Sequence, residues 1–143
     1  MSRVTILIPT WNEEAALPAT IASLTALDPP ADELLLVDGG STDATLALAQ
    51  AAGLTCLAAP RKGRGGQINH GVAHAQGDIV CVLHADSLLP RDAVAVIRAA
   101  MADPGTALAS FMPRIAGPEG TRWGSTFHNW IKTWYAPLIF RPL

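Results

Sequence analysis

Polar and glycine residues gather at four points along the chain, and each offers a distinct chemistry. The first is Thr10, Asn12 and Glu13, directly after an apolar run that ends at Ile8-Pro9. Asp38 closes a second apolar run and precedes Gly39 and Gly40. A carboxylate there can accept hydrogen bonds from a base or a sugar, and the glycines let a ligand approach the backbone; the same carboxylate could instead cap its own turn or the next helix. Asp43 stands at an expected helix start, beside the positive dipole end, and reads as structural. Arg61, Lys62 and Arg64, spaced by Gly63, Gly65 and Gly66, concentrate positive charge ahead of a predicted helix. Such a segment suits a diphosphate through amide donors, dipole and bidentate Arg contacts; the alternative is a solvated surface loop. No Gly-x-x-x-x-Gly-Lys-Ser/Thr pattern exists, and no Gly-x-Gly-x-x-Gly follows the first apolar run.

His84-Ala85-Asp86 is the fourth point. On an extended backbone, side chains one residue apart project from the same face, so imidazole and carboxylate would converge on one cation or one ribose. Oxygen from Asp86 suits Mg2+ or Mn2+ held mainly through ligand phosphates, and nitrogen from His84 tilts the choice towards Mn2+. The competing reading of His84 is a histidine hydrogen-bonded to backbone. His70, His74 and His128 are assigned no metal.

Alternating strands and helices must position these groups. Val4 to Ile8 reads as a buried strand that ends at Pro9, and Thr10 with Glu13 predicts a capping box, Asn12 being the alternative N-cap. Leu17, Ile21 and Leu24 lie at helical spacing before Asp28-Pro29-Pro30. Glu33 to Asp38, Thr55 to Ala58 and Asp78 to Leu83 read as strands, and Thr106 to Met112 as a fifth. Ala44 to Ala52, Gln67 to Ala75 and Arg91 to Ala102 read as helices, the middle one broken or started by Gly71. This order predicts an α/β fold, a doubly wound, mostly parallel sheet with helices on both faces. In such sheets ligands bind at the carboxyl ends of strands, where all four polar clusters fall.

Length and composition fit that architecture. The chain has 143 residues, 50% hydrophobic, with 10 Lys+Arg against 12 Asp+Glu, so a globular domain with a small ligand is expected and nucleic acid is not. No stretch reaches the ~18 apolar residues of a membrane span. The run from Val4 to Ile8 is too short for a secretory leader, which points to the cytoplasm. Cys56 and Cys81 lie in strand-like runs and are expected to be reduced and structural.

Taken together, Ile8-Pro9-Thr10-Trp11-Asn12-Glu13-Glu14, Val37-Asp38-Gly39-Gly40-Ser41-Thr42-Asp43, Gly63-Arg64-Gly65-Gly66-Gln67-Ile68-Asn69 and Leu83-His84-Ala85-Asp86 resemble the family 2 glycosyltransferases of the GT-A fold. The resemblance covers roughly residues 2–100 and is closest to a bacterial subgroup with Leu-His-Ala-Asp. It implies transfer of a sugar from a nucleoside diphosphate sugar to an acceptor of unknown identity, with inversion. It further implies that Pro9, Thr10 and Glu13 line the nucleotide pocket, that Asp38 contacts the base, that Arg64 and its neighbours meet ribose or diphosphate, and that Asn12, Gly39, Arg61, Gln67, His84, Ala85 and Asp86 also belong to the nucleotide-sugar site. Asp86 matches the last carboxylate of the family's Asp-x-Asp metal motif, His84 replaces the first, and Ala85 lies between; the implied cofactor is Mn2+ or Mg2+.

The family's catalytic base is a carboxylate well beyond the metal motif. Here only Asp92, Asp103 and Glu119 follow Asp86; the first two read as caps, Glu119 lacks the expected flanks, and no base is assigned. Residues 1–115 are expected to form the nucleotide-sugar-binding domain. Residues 116–143, with Trp123, Phe127, Trp130, Trp134, Tyr135 and Phe140, are expected to be a helical segment of the same domain, packed in the core, against another chain or at a membrane surface. A fold that usually takes some two hundred residues or more would be incomplete at the C-terminus of this chain. A non-catalytic nucleotide-sugar-binding module is the alternative function.

Overall fold

The computed structural model describes residues 1–111 and 138–140. Among them the elements run β1 (Val4–Thr10), α1 (Leu17–Thr25), β2 (Glu33–Asp38), α2 (Thr45–Ala51), β3 (Thr55–Ala58), α3 (Arg64–His74), β4 (Ile79–Val82), α4 (Ala93–Ala100), β5 (Leu108–Ser110) and β6 (Leu138–Phe140). The sheet order is β3-β2-β1-β4-β6-β5. The first four strands are parallel, and β6 pairs antiparallel with both β4 and β5. The predicted α/β architecture is present.

Alternation along the strands divides the core into two layers, because successive side chains point to opposite sheet faces. Ile6, Ile8, Leu36, Ile79 and Cys81 pack with Leu17, Leu24, Ala49, Val94 and Ile97 of α1, α2 and α4. Leu7, Leu35, Val37, Val80 and Val82 face the other way and are covered by Ile68 and Val72 of α3. Burial on both faces explains why these strands read as near-continuous apolar runs. From β1 the chain moves to β2 and β3 on one side, then returns through α3 to β4 on the other. The reversal places a switch point at the carboxyl ends of β1 and β4, where a crevice opens.

Three local expectations are corrected. β1 continues through Pro9 to Thr10, still in register with β2, whereas its pairing with β4 stops at Leu7. Pro9 therefore breaks no ladder on the β4 side. There is no capping box: Thr10 Oγ1 donates across the sheet to the Val37 carbonyl (3.5 Å), and α1 starts at Leu17 without a side-chain cap. α3 begins at Arg64, and Gly71 is internal to it rather than a break. Within the segment expected to be helical, residues 138–140 are a strand; residues 112–137 and 141–143, including Glu119 and the aromatics from Trp123 to Tyr135, lie outside the described residues. Cys56 and Cys81 are both free thiols, and burial pushes the Cys81 thiol up to about 12.

Candidate functional site

A cleft of about 360 Å³ opens at the carboxyl ends of β1 and β2. Pro9, Thr10 and Gly39 form one wall, and Lys62, Gly63, Arg64 and Gln67 at the start of α3 form the other, with Trp11 and Glu13 also lining it. Gln67 is buried, and its amide Nε2 donates to the carbonyls of Thr10 (2.6 Å) and Val37 (2.9 Å). Both amide hydrogens are thereby committed to joining α3 to the two strand ends. Gly39 keeps that joint uncrowded, since a Cβ there would stand 3.0 Å from Gln67 Nε2. The basic loop thus sits over the strand ends because one buried glutamine anchors the helix that follows it.

The loops after β1 and β2 are stitched together. Asn12 adopts φ 54°, its amide donates to Ser41 Oγ (2.9 Å), and its Oδ1 accepts from the Thr42 amide (2.8 Å). The Glu13 amide donates to Thr45 Oγ1 (2.8 Å), and Glu14 Oε2 accepts from the Ala44 amide (2.9 Å). Asp38 is buried and turned inward on its own loop: it accepts from the amides of Gly40 (3.0 Å) and Ser41 (3.0 Å) and from Ser41 Oγ (2.5 Å). Asn12 and Asp38 are not among the residues lining the cleft.

Beyond β4 the backbone is not extended. The Ser87 amide donates to the His84 carbonyl (3.0 Å), closing a turn over residues 84–87, so the same-face argument for His84 and Asp86 fails. Ala85 is buried, its carbonyl accepting from Thr20 Oγ1 (2.6 Å), while His84 is half-buried and Asp86 exposed. Asp86 nevertheless bears on the cleft. Burial raises the pKa of Glu13, the Asp86 charge raises it further, and Arg64 opposes them. Two carboxylates and a guanidinium therefore share one field at the mouth of the cleft.

The raised pKa of Glu13 carries a linkage consequence. A carboxyl that holds its proton more tightly folded than unfolded favours folding at pH values below its unfolded pKa, and that contribution disappears as pH rises through the folded value. Glu13→Gln, which cannot ionise, is expected to be more stable than the parent above that window and to narrow the difference below it. Urea denaturation at pH 4 and pH 8 checks the sign.

Of the residues expected from sequence, Pro9, Thr10, Glu13, Gly39, Arg64 and Gln67 meet in the cleft, and Asp86 reaches it electrostatically. Arg61 is exposed and does not line it. Lys62, expected with Arg61 and Arg64 to suit a diphosphate, lines it, and so does Trp11, 56% exposed, which the sequence marks only by its place inside the first motif.

The sequence profile of Glycosyl transferase family 2 matches residues 5–142. The chain belongs to this family. Among relatives of the family 2 chain, an uncharacterized glycosyltransferase of Mycobacterium tuberculosis is 39% identical over 83 residues, covering 58% of this chain and 36% of that protein. Glucosyl-3-phosphoglycerate synthase of the same species is 34% identical over 96 residues, covering 61% and 30%. The chain spans about a third of the length of these curated relatives. In structure, the mannosyltransferase PcManGT from Pyrobaculum calidifontis, solved with GDP-Man and Mn2+, superposes with TM-score 0.76 at 24% identity, over 98% of this chain and 44% of that one, which establishes the GT-A fold. M. tuberculosis glucosyl-3-phosphoglycerate synthase, solved with Mn2+, UDP and glucosyl-3-phosphoglycerate, gives 0.62 at 28% identity, over 75% and 42%. The same enzyme has been solved with Mg2+ and UDP. Among the described residues of the family 2 chain, no helix is long and apolar enough to cross a membrane.

Among the described residues no three His, Cys, Asp or Glu side chains are grouped to enclose a metal ion. A hard cation of the Mg2+ or Mn2+ kind takes one or two protein carboxylates and completes its shell with phosphate oxygens and water. The resemblance assigns such a cation to Asp86 and His84; Asp86 is exposed in the turn after β4 and His84 is half-buried.

Proposed function

We propose that this chain binds a nucleoside diphosphate sugar in the cleft between β1, β2 and α3 and serves sugar transfer to an acceptor hydroxyl with inversion. One observation carries the reading: the cleft at the strand ends brings Lys62 and Arg64 together with Glu13, whose carboxyl also feels the charge of Asp86. Basic side chains suit the diphosphate directly, and carboxylates suit it through a shared cation. Trp11 offers an exposed aromatic face in the cleft, and Asp38, buried with its carboxylate accepting from Gly40 and Ser41, would shape the loop beside it. The solved relative carrying UDP and a divalent cation supports the assignment.

In the transfer, the acceptor oxygen attacks the anomeric carbon as the bond from that carbon to the diphosphate oxygen breaks. Charge develops on the leaving diphosphate, and Arg64 and Lys62 stabilise it where it forms. A cation held by Asp86 would supply further Lewis-acid neutralisation. The acceptor proton needs a base. Among the described residues past Asp86, Asp92 sits at the start of α4 and Asp103 accepts from the Gly105 amide in its turn (2.9 Å). Asp92 makes no side-chain cap there, contrary to expectation, and with neither carboxylate lining the cleft a donor-binding unit without transfer activity of its own is the second reading. Residues 1–115 would be that unit, with β6 completing its sheet.

Arg64→Ala tests the proposal. Calorimetric titration with UDP and GDP in the presence of Mn2+ is expected to find one nucleotide that the parent binds and the variant binds more weakly by about 1.5–3 kcal/mol, the range for a hydrogen bond to a charged group. Absence of binding by the parent to both nucleotides overturns the donor site. Transfer of sugar to water or to a hydroxyl acceptor by the same preparation separates the enzyme from the binding unit.

A further inference from the structure

Away from the cleft, α3 carries His70 and His74 one helical turn apart. Residues at i and i+4 stand on the same helix face, one above the other. Their rings lie with centroids 4.4 Å apart and planes inclined by 51°. His74 Nδ1 is 2.8 Å from the His70 carbonyl oxygen. A carbonyl only accepts, so Nδ1 carries the hydrogen, and in the neutral ring the lone pair must then be on Nε2. That nitrogen lies across the ring from the backbone contact, and His74 is exposed while His70 is half-buried.

We propose that His70 and His74 form a two-imidazole site for a late first-row transition ion of the Ni2+, Cu2+ or Zn2+ kind, separate from the donor cleft. A backbone carbonyl bonded to the non-ligating nitrogen fixes both the tautomer and the ring direction, the arrangement metal-binding histidines use. Two nitrogens each about 2.0–2.1 Å from one ion stand roughly 3–4 Å apart, a span within the reach of rings whose centroids lie 4.4 Å apart. Imidazole selects these ions over Mg2+ and Mn2+, which prefer oxygen, so the two cation sites differ in chemistry. With two protein ligands the remaining positions belong to water, and the bound ion clips one turn of α3.

The test uses tag-free protein. Ni2+ titrated by calorimetry is expected to show a one-to-one component that Mg2+ at the same concentration does not reproduce. His70→Ala and His74→Ala should each weaken it by at least the roughly 10- to 100-fold that losing even an outer partner costs a metal site. A second reading needs no variant: substoichiometric Cu2+ should broaden amide resonances of α3 around residues 70–74 before any others in the parent protein. Undiminished Ni2+ binding in the doubly substituted chain, or broadening that centres on His84 and Asp86 or on His128, overturns the proposal.

Discussion

Asp86→Asn is expected to abolish the dependence of nucleoside diphosphate binding on Mn2+. The substitution keeps the shape of the side chain, and the turn over residues 84–87 is closed by backbone, through the Ser87 amide, so the fold has no reason to change. What disappears is the exposed negative charge whose field raises the pKa of Glu13. Affinity for the nucleotide with Mn2+ present should fall by roughly 10- to 100-fold, the scale on which metal sites respond to altered partners, while affinity without metal stays near the parent value. A second readout belongs to the same variant. With the Asp86 charge gone, the Glu13 carboxyl should titrate closer to its ordinary range, because one of the influences raising it has been removed. Calorimetry with and without Mn2+ checks the first effect and NMR titration of Glu13 the second. Retention of the full metal response would assign the cation to other residues.

Gly71→Ala is expected to destabilise the fold, and the expectation runs against helix propensity. Alanine in a helix interior gains up to about 1 kcal/mol over glycine. Here, however, the added Cβ would fall on Leu7 Cδ1 and come within 2.8 Å of Val37 Cγ2, side chains fixed in the layer between α3 and the sheet. Overpacking of this kind costs typically about 1–3 kcal/mol, so the net effect is destabilising. Either the core gives or α3 lifts. Lifting α3 would strain the bonds from Gln67 to the Thr10 and Val37 carbonyls and open the cleft, so nucleotide affinity should drop along with stability. Gly65, in the same helix, has nothing within 4 Å of its Cβ position, and Gly65→Ala should be stable or slightly stabilised. Urea denaturation of the two variants measures the contrast; equal stabilities would refute the packing account.

The parallel core was legible because it repeats a simple signal. Apolar runs such as Ile79 to Val82 and Leu34 to Val37 need burial on both faces, and the helices between them leave few other arrangements. Most residues of the cleft were legible for the same reason, since strand ends in such sheets are where polar groups become accessible. The misreadings share a different cause. Thr10 and Glu13 have the spacing of a capping box, yet Thr10 is held in the sheet by its register with Asp38, a long-range pairing that local spacing does not encode. His84 and Asp86 were read on extended backbone, but Ala85 is drawn into the core and its carbonyl taken by Thr20, which bends the chain. Gln67 does line the cleft, but its second role, with both amide hydrogens joining α3 to the strand ends, follows only from the assembled layers. The pairing of residues 138–140 was hidden among aromatic residues whose spacing suggested a helix.

That last strand also sets an order of events. β6 stands between β4 and β5, so Leu108 to Ser110 has no edge to join until Leu138 to Phe140 has docked beside β4. The parallel strands β1 to β4 are complete by residue 82, whereas the other half of the sheet must wait for contacts made across some sixty residues, from Val80 to Phe140. Pairings of such separation close slowly, and chains made from the N-terminus fold their early portions first. On a ribosome, the strands that build the cleft could therefore assemble while the rest of the sheet is still being made, leaving the flank of β4 as an unpaired edge in the interval. Protection of that edge, rather than formation of the pocket, is where assembly of this protein would be most open to error.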